Sequence, residues 1–202
     1  MITILDYGMG NAPSIANMLR KININSLLTS DIKKIEKANK LILPGVGSFD
    51  MAVLEFEKRN LWQIVNTKVL CDKIPVLGIC LGMQLLCLSS EEGVKSGFEW
   101  IDARCEKFFF DKKSKHKVPC MGWNYVEYKE NNPLFKGLES PKFYFVHSYH
   151  VVCSKPENII ATAEYGEDYT VAVQKDNIYG VQFHPEKSHK YGMQLLKNFA
   201  EI

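Results

Sequence analysis

Residues 1–90 alternate short, mainly apolar runs with segments whose apolar side chains recur at helical spacing. The apolar runs, each typical of a strand buried on both faces, are 2–6, 24–28, 41–43 and 76–79. Between the first two runs, Ile15, Met18 and Leu19 fall on one face of a helix. Strands of this kind in alternation with helices predict a parallel sheet that is covered on both faces.

Capping residues mark where the predicted helices begin. Asn11 is placed as the N-cap of the first helix, with Pro13 in its first turn, and Ser48 as the N-cap of a later helix. The other helices of this half are predicted at 31–37 and 62–70.

The pattern changes near Phe98, and the second half is predicted to be rich in β-structure. Short aromatic or β-branched runs between turn residues predict strands at 108–110, 125–128, 143–149, 159–163, 171–174 and 178–183. A final helix is predicted over 191–200. Because no repeat or linker separates the halves, we expect one domain over 1–202, an α/β fold with an open, mostly parallel twisted sheet flanked by helices.

The composition excludes several classes of function. The net charge is +2, and the densest basic cluster, 112–117, is interpreted as a solvated loop, so no nucleic-acid partner is expected. Neither a signal peptide nor an apolar run long enough for a membrane span is present, which favours a cytoplasmic protein without a membrane partner. The six cysteines show no paired C-x-x-C spacing, so we expect reduced thiols, no metal and no cofactor.

One cysteine has a special setting. Cys80 lies between Gly78 and Gly82, where an apolar strand passes into a predicted helix. Flanking glycines allow a sharp strand-to-helix turn that presents the side chain at its apex above the sheet. The N–H groups at the start of the helix favour the thiolate, which is the nucleophilic form. Cys80 is therefore predicted to be a nucleophile that requires a base from elsewhere.

The segment 181–188 offers that base. His184 ends an apolar run, and Pro185 keeps it out of helical geometry, so that the imidazole projects from the strand end. Glu186 can reach the other ring nitrogen and stabilise the imidazolium, which predicts a Cys–His–Glu triad. The alternative is that His184 merely ends a strand and Glu186 is a surface charge, but the combination with Cys80 favours the triad.

A glycine-rich turn after the third strand completes the predicted site. Gly45 and Gly47 flank Val46, and the backbone N–H groups of this turn are predicted to stabilise an oxyanion. Ligand crevices of parallel sheets lie at the carboxyl ends of the strands, where the segments 7–11 and 44–47 also fall together with Cys80. These elements predict acyl transfer through a thioester.

The motifs around these residues resemble a known family. Cys80 in GICLGMQ, with His184 and Glu186 in QFHPEKS, is similar to a class I (triad) glutamine amidotransferase. The further motifs DYGMGN, LPGVGSF, MGWN and YFVHSY resemble, in this order and nearly from end to end, the glutaminase subunits of imidazole glycerol phosphate synthase.

That resemblance implies a reaction and a partner. Cys80 would attack the side-chain amide of L-glutamine, and ammonia would pass to a (β/α)8-barrel cyclase subunit in a heterodimer that serves histidine biosynthesis. It implies that the oxyanion turn is completed by a peptide flip that the partner induces. Gln84 and the backbone near Ser148 and Tyr149 would hold glutamine.

It also implies that Asn11, Tyr144 and Lys187 lie at the subunit interface or on its signalling path. Alternatives from the residues alone are that Asn11 is only an N-cap, Tyr144 a strand aromatic and Lys187 a surface charge. Two further histidines, His147 and His150, are interpreted as structural, and Trp123 as packing.

Two departures from the family motifs leave the identity of the acceptor open. Cys120 stands where a histidine is usual, and 96–102 lacks the usual Gly-Leu-Gly and Pro-Gly. The alternative function is therefore a paralogous glutaminase subunit that supplies ammonia to a sugar amidotransferase in surface-polysaccharide biosynthesis. A non-catalytic relative that keeps only the fold is a third hypothesis, against which the intact triad argues.

Overall fold

The structure of the protein is a computed structural model that describes residues 1–111 and 113–202. Lys112, the first residue of the basic cluster predicted to be a solvated loop, lies outside the described residues. No helix in the described part of the chain is both long and apolar enough to cross a bilayer.

The half that precedes the β-rich region alternates strands and helices as predicted. Its strands are β1 (Ile2–Leu5), β2 (Ser26–Thr29), β3 (Leu41–Gly45), β4 (Val76–Cys80) and the two-residue β5 (Ser89–Ser90). Its helices are α1 (Ala12–Lys21), α2 (Ile32–Ile35), α3 (Phe49–Lys58), α4 (Trp62–Asn66), continued by a π-helical turn Thr67–Cys71, and α5 (Leu81–Gln84). The helix after Cys80 therefore has only one turn.

The later half is built mainly from antiparallel strands. They are β6 (Ala103–Lys107), β7 (Cys120–Tyr125), β8 (Glu127–Tyr128), β9 (Lys142–His147), β10 (Tyr149–Cys153), β11 (Ile159–Glu164), β12 (Asp168–Lys175) and β13 (Ile178–Val181). Short 3₁₀ turns span Pro133–Phe135, Pro156–Asn158 and Pro185–Lys187, and α6 (His189–Glu201) closes the chain.

One large sheet joins the two halves. Within the described residues its strand order is β2-β1-β3-β4-β13-β12-β10-β6-β5, with β11 and β8 attached beside β12. The pairs from β2 through β4 to β13 are parallel, whereas β13, β12, β10 and β6 pair antiparallel. Strands β7 and β9 form a separate antiparallel ribbon. The α/β fold with a mostly parallel sheet in its first half and a β-rich second half is thus confirmed.

Two large clusters of buried apolar side chains form the core. One contains Ile15 and Leu19 of α1 together with Phe199 of α6, and the other contains Phe49 and Phe56 of α3. Both clusters include side chains from β1, β3 and β4, because successive residues of a strand point to opposite faces. The strands that carry the candidate site are therefore buried on both faces, as their continuous apolar runs predict.

The prediction of a strand at 108–110 is wrong. The strand β6 ends at Lys107, and although the Phe108 N–H still donates to the Ser148 carbonyl at 3.0 Å, the aromatic side chains after the strand pack against other rings. Phe108 is buried and stacks on His150, with ring centroids 4.5 Å apart, and it also stacks on Phe110 at 5.7 Å. A run of aromatic residues is apolar in either arrangement, so its composition did not distinguish a packed loop from a strand.

The predicted N-caps occupy the right positions but do not cap with their side chains. Asn11 precedes α1, and its Oδ1 accepts a hydrogen bond from the Ser14 hydroxyl at 2.7 Å rather than from a helix N–H. Ser48 precedes α3, yet the Phe49 N–H donates to a carboxylate oxygen of Glu92 at 2.8 Å. A carboxylate distant in sequence therefore accepts from the first N–H of α3, and the Ser48 side chain makes no capping hydrogen bond.

The turn after β4 packs against β3 with no room for a side chain at Gly82. A Cβ atom at Gly82 would lie 1.9 Å from the Leu43 carbonyl oxygen. We expect Gly82→Ala to lower the free energy of unfolding by more than about 2 kcal/mol, because α5 would have to move away from β3. Urea denaturation of the purified chain measures this loss.

Gly137→Ala is the control for that substitution. A Cβ atom at Gly137 meets nothing within 4 Å, so only its left-handed backbone (φ +73°) resists the change. We expect a cost of about 1 kcal/mol there. Equal losses in the two variants would contradict the close approach of α5 to β3.

Candidate active site

Cys80 lies on a strained turn. It ends β4 with φ 55° and ψ −111°, a conformation that non-glycine residues rarely adopt. The turn is tight because a Cβ atom at Gly78 would lie 2.5 Å from the Gly82 carbonyl oxygen. The thiol is almost buried and faces a cavity. The geometry is that of a nucleophile presented at a strand-to-helix turn.

His184 and Glu186 form a buried pair beside this turn. His184 lies three residues beyond the end of β13, in an extended conformation before the Pro185–Lys187 turn. Its Nδ1 lies 2.8 Å from a carboxylate oxygen of Glu186, and the side chains are 2% and 1% exposed. The backbone is held because the His184 N–H donates to the Tyr144 carbonyl at 2.9 Å. The carboxylate therefore fixes the ring orientation and leaves Nε2 toward Cys80.

The charged form of His184 is stabilised in this setting. Burial alone would disfavour the imidazolium, but the contacts with the Cys80 thiol and the Glu186 carboxylate outweigh it and raise the pKa of His184 to about 10. Nε2 is buried and has no well-aligned hydrogen-bond partner among the described residues. His184 can therefore hold a proton on Nε2, close to the Cys80 sulfur.

A cavity of about 300 Å³ opens over Cys80 and His184. The predicted site residues that line it are Val46, Gly47, Cys80, Gln84, Ser148, Tyr149, His184 and Lys187. Gly45, Glu186, Asn11 and Tyr144 are not among its lining residues. The structure therefore brings most of the predicted set to one cavity and places the rest behind or beside it.

The predicted oxyanion turn borders the nucleophile. Gly45 pairs in register with Cys80 across β3 and β4, and Gly47 has φ +119°, which favours glycine. The Tyr7 hydroxyl donates to the Pro44 carbonyl at 2.5 Å, and this hydrogen bond fixes the start of the turn. Burial and the nearby Cys80 raise the pKa of Tyr7, so the hydroxyl remains a neutral donor.

Two of the residues expected at a subunit interface, Tyr144 and Lys187, lie close together. The Lys187 ammonium lies 5.6 Å from the centre of the Tyr144 ring, within reach of a cation–π contact. Asn11 follows Gly10, whose Cβ position would be 2.9 Å from the Gly45 N atom. The segment 7–11 is therefore in contact with the turn at 44–47, as predicted.

Two functional candidates were missed by the sequence reasoning. Glu92 lines the cavity, and it comes from a segment with no recognisable periodicity. Gln182 is fully buried, and its Nε2 lies 3.6 Å from the Cys80 sulfur. The sequence did indicate this position, because Gln182 lies two residues before His184 in an apolar run, and alternate residues of an extended segment point to the same face.

The other residues that were singled out have distinct settings. His147 is buried, donates from Nδ1 to the Tyr149 carbonyl at 2.8 Å, and has its pKa lowered by burial to about 4, so its ring is neutral at physiological pH. Trp123 is not packed inside, since it is 43% exposed and stacks on His189. Cys120 is buried with its sulfur 3.9 Å from the Tyr169 hydroxyl, outside the cavity lining.

The raised pKa of His184 predicts a pH dependence of stability. The native state keeps a proton that the unfolded chain releases near pH 6.5, so this stabilisation is complete below that pH and is lost as pH rises toward about 10. We expect Glu186→Gln to lower the pKa of His184 and to flatten the decline in unfolding free energy across that range. Urea denaturation at half-unit pH steps measures both slopes.

Glu201→Gln, an exposed substitution on α6, is the matched control and should keep the parent slope. A Glu186→Gln slope equal to that of the parent would show that the carboxylate does not hold the imidazolium.

Comparisons with known proteins identify the family of this chain. The family model described as "Glutamine amidotransferase class-I" matches residues 3–202. The chain is 54% identical over 202 residues to imidazole glycerol phosphate synthase subunit HisH 2 of Methanococcus maripaludis, covering 100% of this chain and 99% of that protein. It is 45% identical over 203 residues to HisH 2 of Pseudomonas aeruginosa, with both chains fully covered.

A solved structure described as a glutamine amidotransferase superposes with a TM-score of 0.73 at 18% identity, over 99% of this chain and 97% of that chain. This likeness supports the fold alone. The family match, the full-length identities and the cysteine turn beside a buried His–Glu pair lead to one conclusion: the chain belongs to the class I glutamine amidotransferases, in the group of the imidazole glycerol phosphate synthase HisH subunits.

Proposed function

We propose that this chain is the glutaminase subunit of an imidazole glycerol phosphate synthase. It hydrolyses L-glutamine to glutamate and ammonia, and it delivers the ammonia to a (β/α)8-barrel cyclase subunit in histidine biosynthesis. The observation that carries the chemistry is the cavity that brings the Cys80 thiol together with the His184–Glu186 pair. The pathway rests on the HisH relatives, which match the chain over its full length.

The first half of the reaction forms a thioester. The Cys80 sulfur attacks the side-chain carbonyl carbon of glutamine, and the C–N bond breaks as His184 gives the Nε2 proton to the departing nitrogen. Ammonia leaves, and the acyl group stays on Cys80. Backbone N–H groups of the turn at Gly45, Val46 and Gly47 stabilise the negative oxygen of the tetrahedral intermediate.

Hydrolysis completes the cycle. His184 takes a proton from a water molecule that attacks the thioester, and the sulfur leaves as glutamate forms. The Glu186 carboxylate keeps the imidazole in the required orientation, which its 2.8 Å contact with Nδ1 supports. The nearly complete burial of the pair excludes competing water from this contact.

Charged and amide groups around the cavity supply the substrate contacts. Glu92 is the acidic residue of the described lining, and we assign it to the α-ammonium group of glutamine. Gln84, Ser148 and Tyr149 line the same cavity and are assigned to the remaining polar groups of the substrate. Glutamine is thereby held with its side-chain amide toward Cys80.

The mouth of the cavity supports docking of a partner. Val46 is 49% exposed, and Met121 and Trp123 of the β7–β9 ribbon are 61% and 43% exposed. Large apolar side chains that remain exposed beside a catalytic cavity favour an interface. We assign Asn11, Tyr144 and Lys187 to this interface and to the relay between the two subunits. Residues 1–202 act as one domain in the cytoplasm, where the six free cysteines remain thiols.

A sugar amidotransferase as the acceptor subunit has no support from the relatives described above. A purely structural role is disfavoured, because the triad and a cavity of about 300 Å³ are intact. Neither Cys120, which is buried against Tyr169, nor any of residues 96–102 is among the residues that line the cavity.

The partner assignment is tested by glutamate production in the presence and absence of a purified barrel cyclase and its nucleotide ligand. We expect low activity from the chain alone and stimulation by at least about 100-fold in the complex, because the oxyanion turn is completed only there. Cys80→Ala should abolish the activity in both conditions. Unchanged activity on addition of the cyclase would refute this partner.

The assignment of Glu92 is tested by steady-state kinetics of the same complex. We expect Glu92→Gln to raise the KM for glutamine at least about tenfold, because an ammonium group loses its charged partner. The matched control is Glu91→Gln, whose carboxylate accepts from the Lys107 N–H outside the cavity lining. A Glu92→Gln variant with the parent KM would contradict the assignment.

A further inference from the structure

A chain of side-chain amides leads from the floor of the cavity to the nucleophile. Gln84 Nε2 donates to the Tyr149 carbonyl at 3.2 Å and to the Gln182 Oε1 atom at 3.1 Å. Gln182 Nε2 in turn donates to the Cys80 sulfur, 3.6 Å away. Both glutamine side chains are buried, so water does not compete for these hydrogen bonds.

The direction of every donor in this chain is fixed by one atom. The Tyr149 carbonyl can only accept, so the Gln84 nitrogen must face it. Because the same nitrogen also faces Gln182, the Gln182 oxygen must point to Gln84. The Gln182 N–H therefore points at the sulfur, and an inverted amide would set two donors or two acceptors against each other.

The backbone keeps this amide in place. The Gln182 N–H donates to the Val171 carbonyl at 2.8 Å, just beyond the paired part of β13 and β12. His184, two residues later, lines the same cavity as Cys80. The nucleophile thus has a second polar neighbour of fixed orientation besides its base.

A donor aimed at sulfur has a chemical consequence. A thiolate accepts a hydrogen bond from an amide more strongly than a thiol does, so the contact favours the nucleophilic form. The helix that follows Cys80 has only the four residues Leu81–Gln84, which limits the contribution of its dipole. The side-chain amide supplies a donor that the short helix lacks.

We propose that Gln182 is a positioning residue that orients the Cys80 sulfur and stabilises its thiolate. Gln84 anchors it, and since both N–H groups of Gln84 are engaged inside the protein, its Oε1 is the atom left for a substrate donor. This last link rests on the proposed function, whereas the effect on the thiolate does not. Glutamine bound at Gln84 would polarise the same chain of amides that ends at the nucleophile.

The test measures thiol reactivity without glutamine or partner. Iodoacetamide alkylation of Cys80 is followed by peptide mass spectrometry from pH 5 to 10, which separates Cys80 from the other five cysteines. Gln182→Met keeps the size of the side chain and removes the donor. We expect its midpoint for alkylation to move up by about one pH unit, so that the rate at neutral pH falls about tenfold.

Two further variants make the result specific. Gln84→Met leaves the Gln182 contact possible but removes its anchor, and we expect about a threefold loss at neutral pH. The double variant should lose no more of the alkylation rate than Gln182→Met alone, because both substitutions break the same series of hydrogen bonds. Gln174→Met is the control. Gln174 lies on the neighbouring strand β12, and its side-chain amide forms hydrogen bonds with Asn132 and Tyr179.

Urea denaturation shows whether each variant keeps the fold. If Gln182→Met does not fold, Gln84→Met still tests the series of amide hydrogen bonds. A parent-like pH profile in both folded variants would overturn the proposal without touching the proposed function. Conversely, the variants could shift the pH profile of Cys80 alkylation while the parent protein fails to hydrolyse glutamine with the cyclase present. That result would overturn the proposed function alone. In the active complex, Gln182→Met should lower kcat with little change in KM, whereas a loss confined to stability would indicate a merely structural role.

Discussion

The parallel register of three neighbouring strands is the constraint on which the site depends. Gly45 of β3 lies opposite Cys80 of β4, and Val181 of β13 lies opposite Ile79. A slip of one residue would turn every side chain of a strand to the other face of the sheet and bury the nucleophile among apolar residues. Because all three strands are apolar throughout, packing on both faces resists such a slip. The oxyanion turn, the cysteine and the base therefore meet at one edge.

Two buried histidines near this edge have pKa values shifted in opposite directions. Burial disfavours the charged form of both rings, and it prevails at His147, whose pKa falls to about 4. At His184 the contacts with Cys80 and Glu186 reverse the outcome and raise the pKa to about 10. One imidazole is thus fixed as neutral and the other as cationic, and of these two rings it is the one beside the sulfur that carries the charge.

The sequence was sufficient to predict the fold and the local geometry of the triad. The turn at Cys80 follows from flanking glycines, and the extended His184 follows from Pro185, so both are properties of a few adjacent residues. Glu92 could not be predicted, because its place beside the cavity depends on how the segment after α5 crosses α3. Phe108 was misassigned because aromatic packing and strand pairing require the same apolar composition.

The Tyr149 carbonyl connects these observations. It lies just after Ser148, where the chain leaves the β7–β9 ribbon at His147 and enters the large sheet as β10. It accepts from His147 Nδ1 at 2.8 Å and from Gln84 Nε2 at 3.2 Å. One backbone atom therefore sets the tautomer of a histidine that lines the cavity and the orientation of the amides that reach Cys80. The β-rich half, which contributes neither the nucleophile nor the oxyanion turn, thereby orients the amide that contacts the nucleophile.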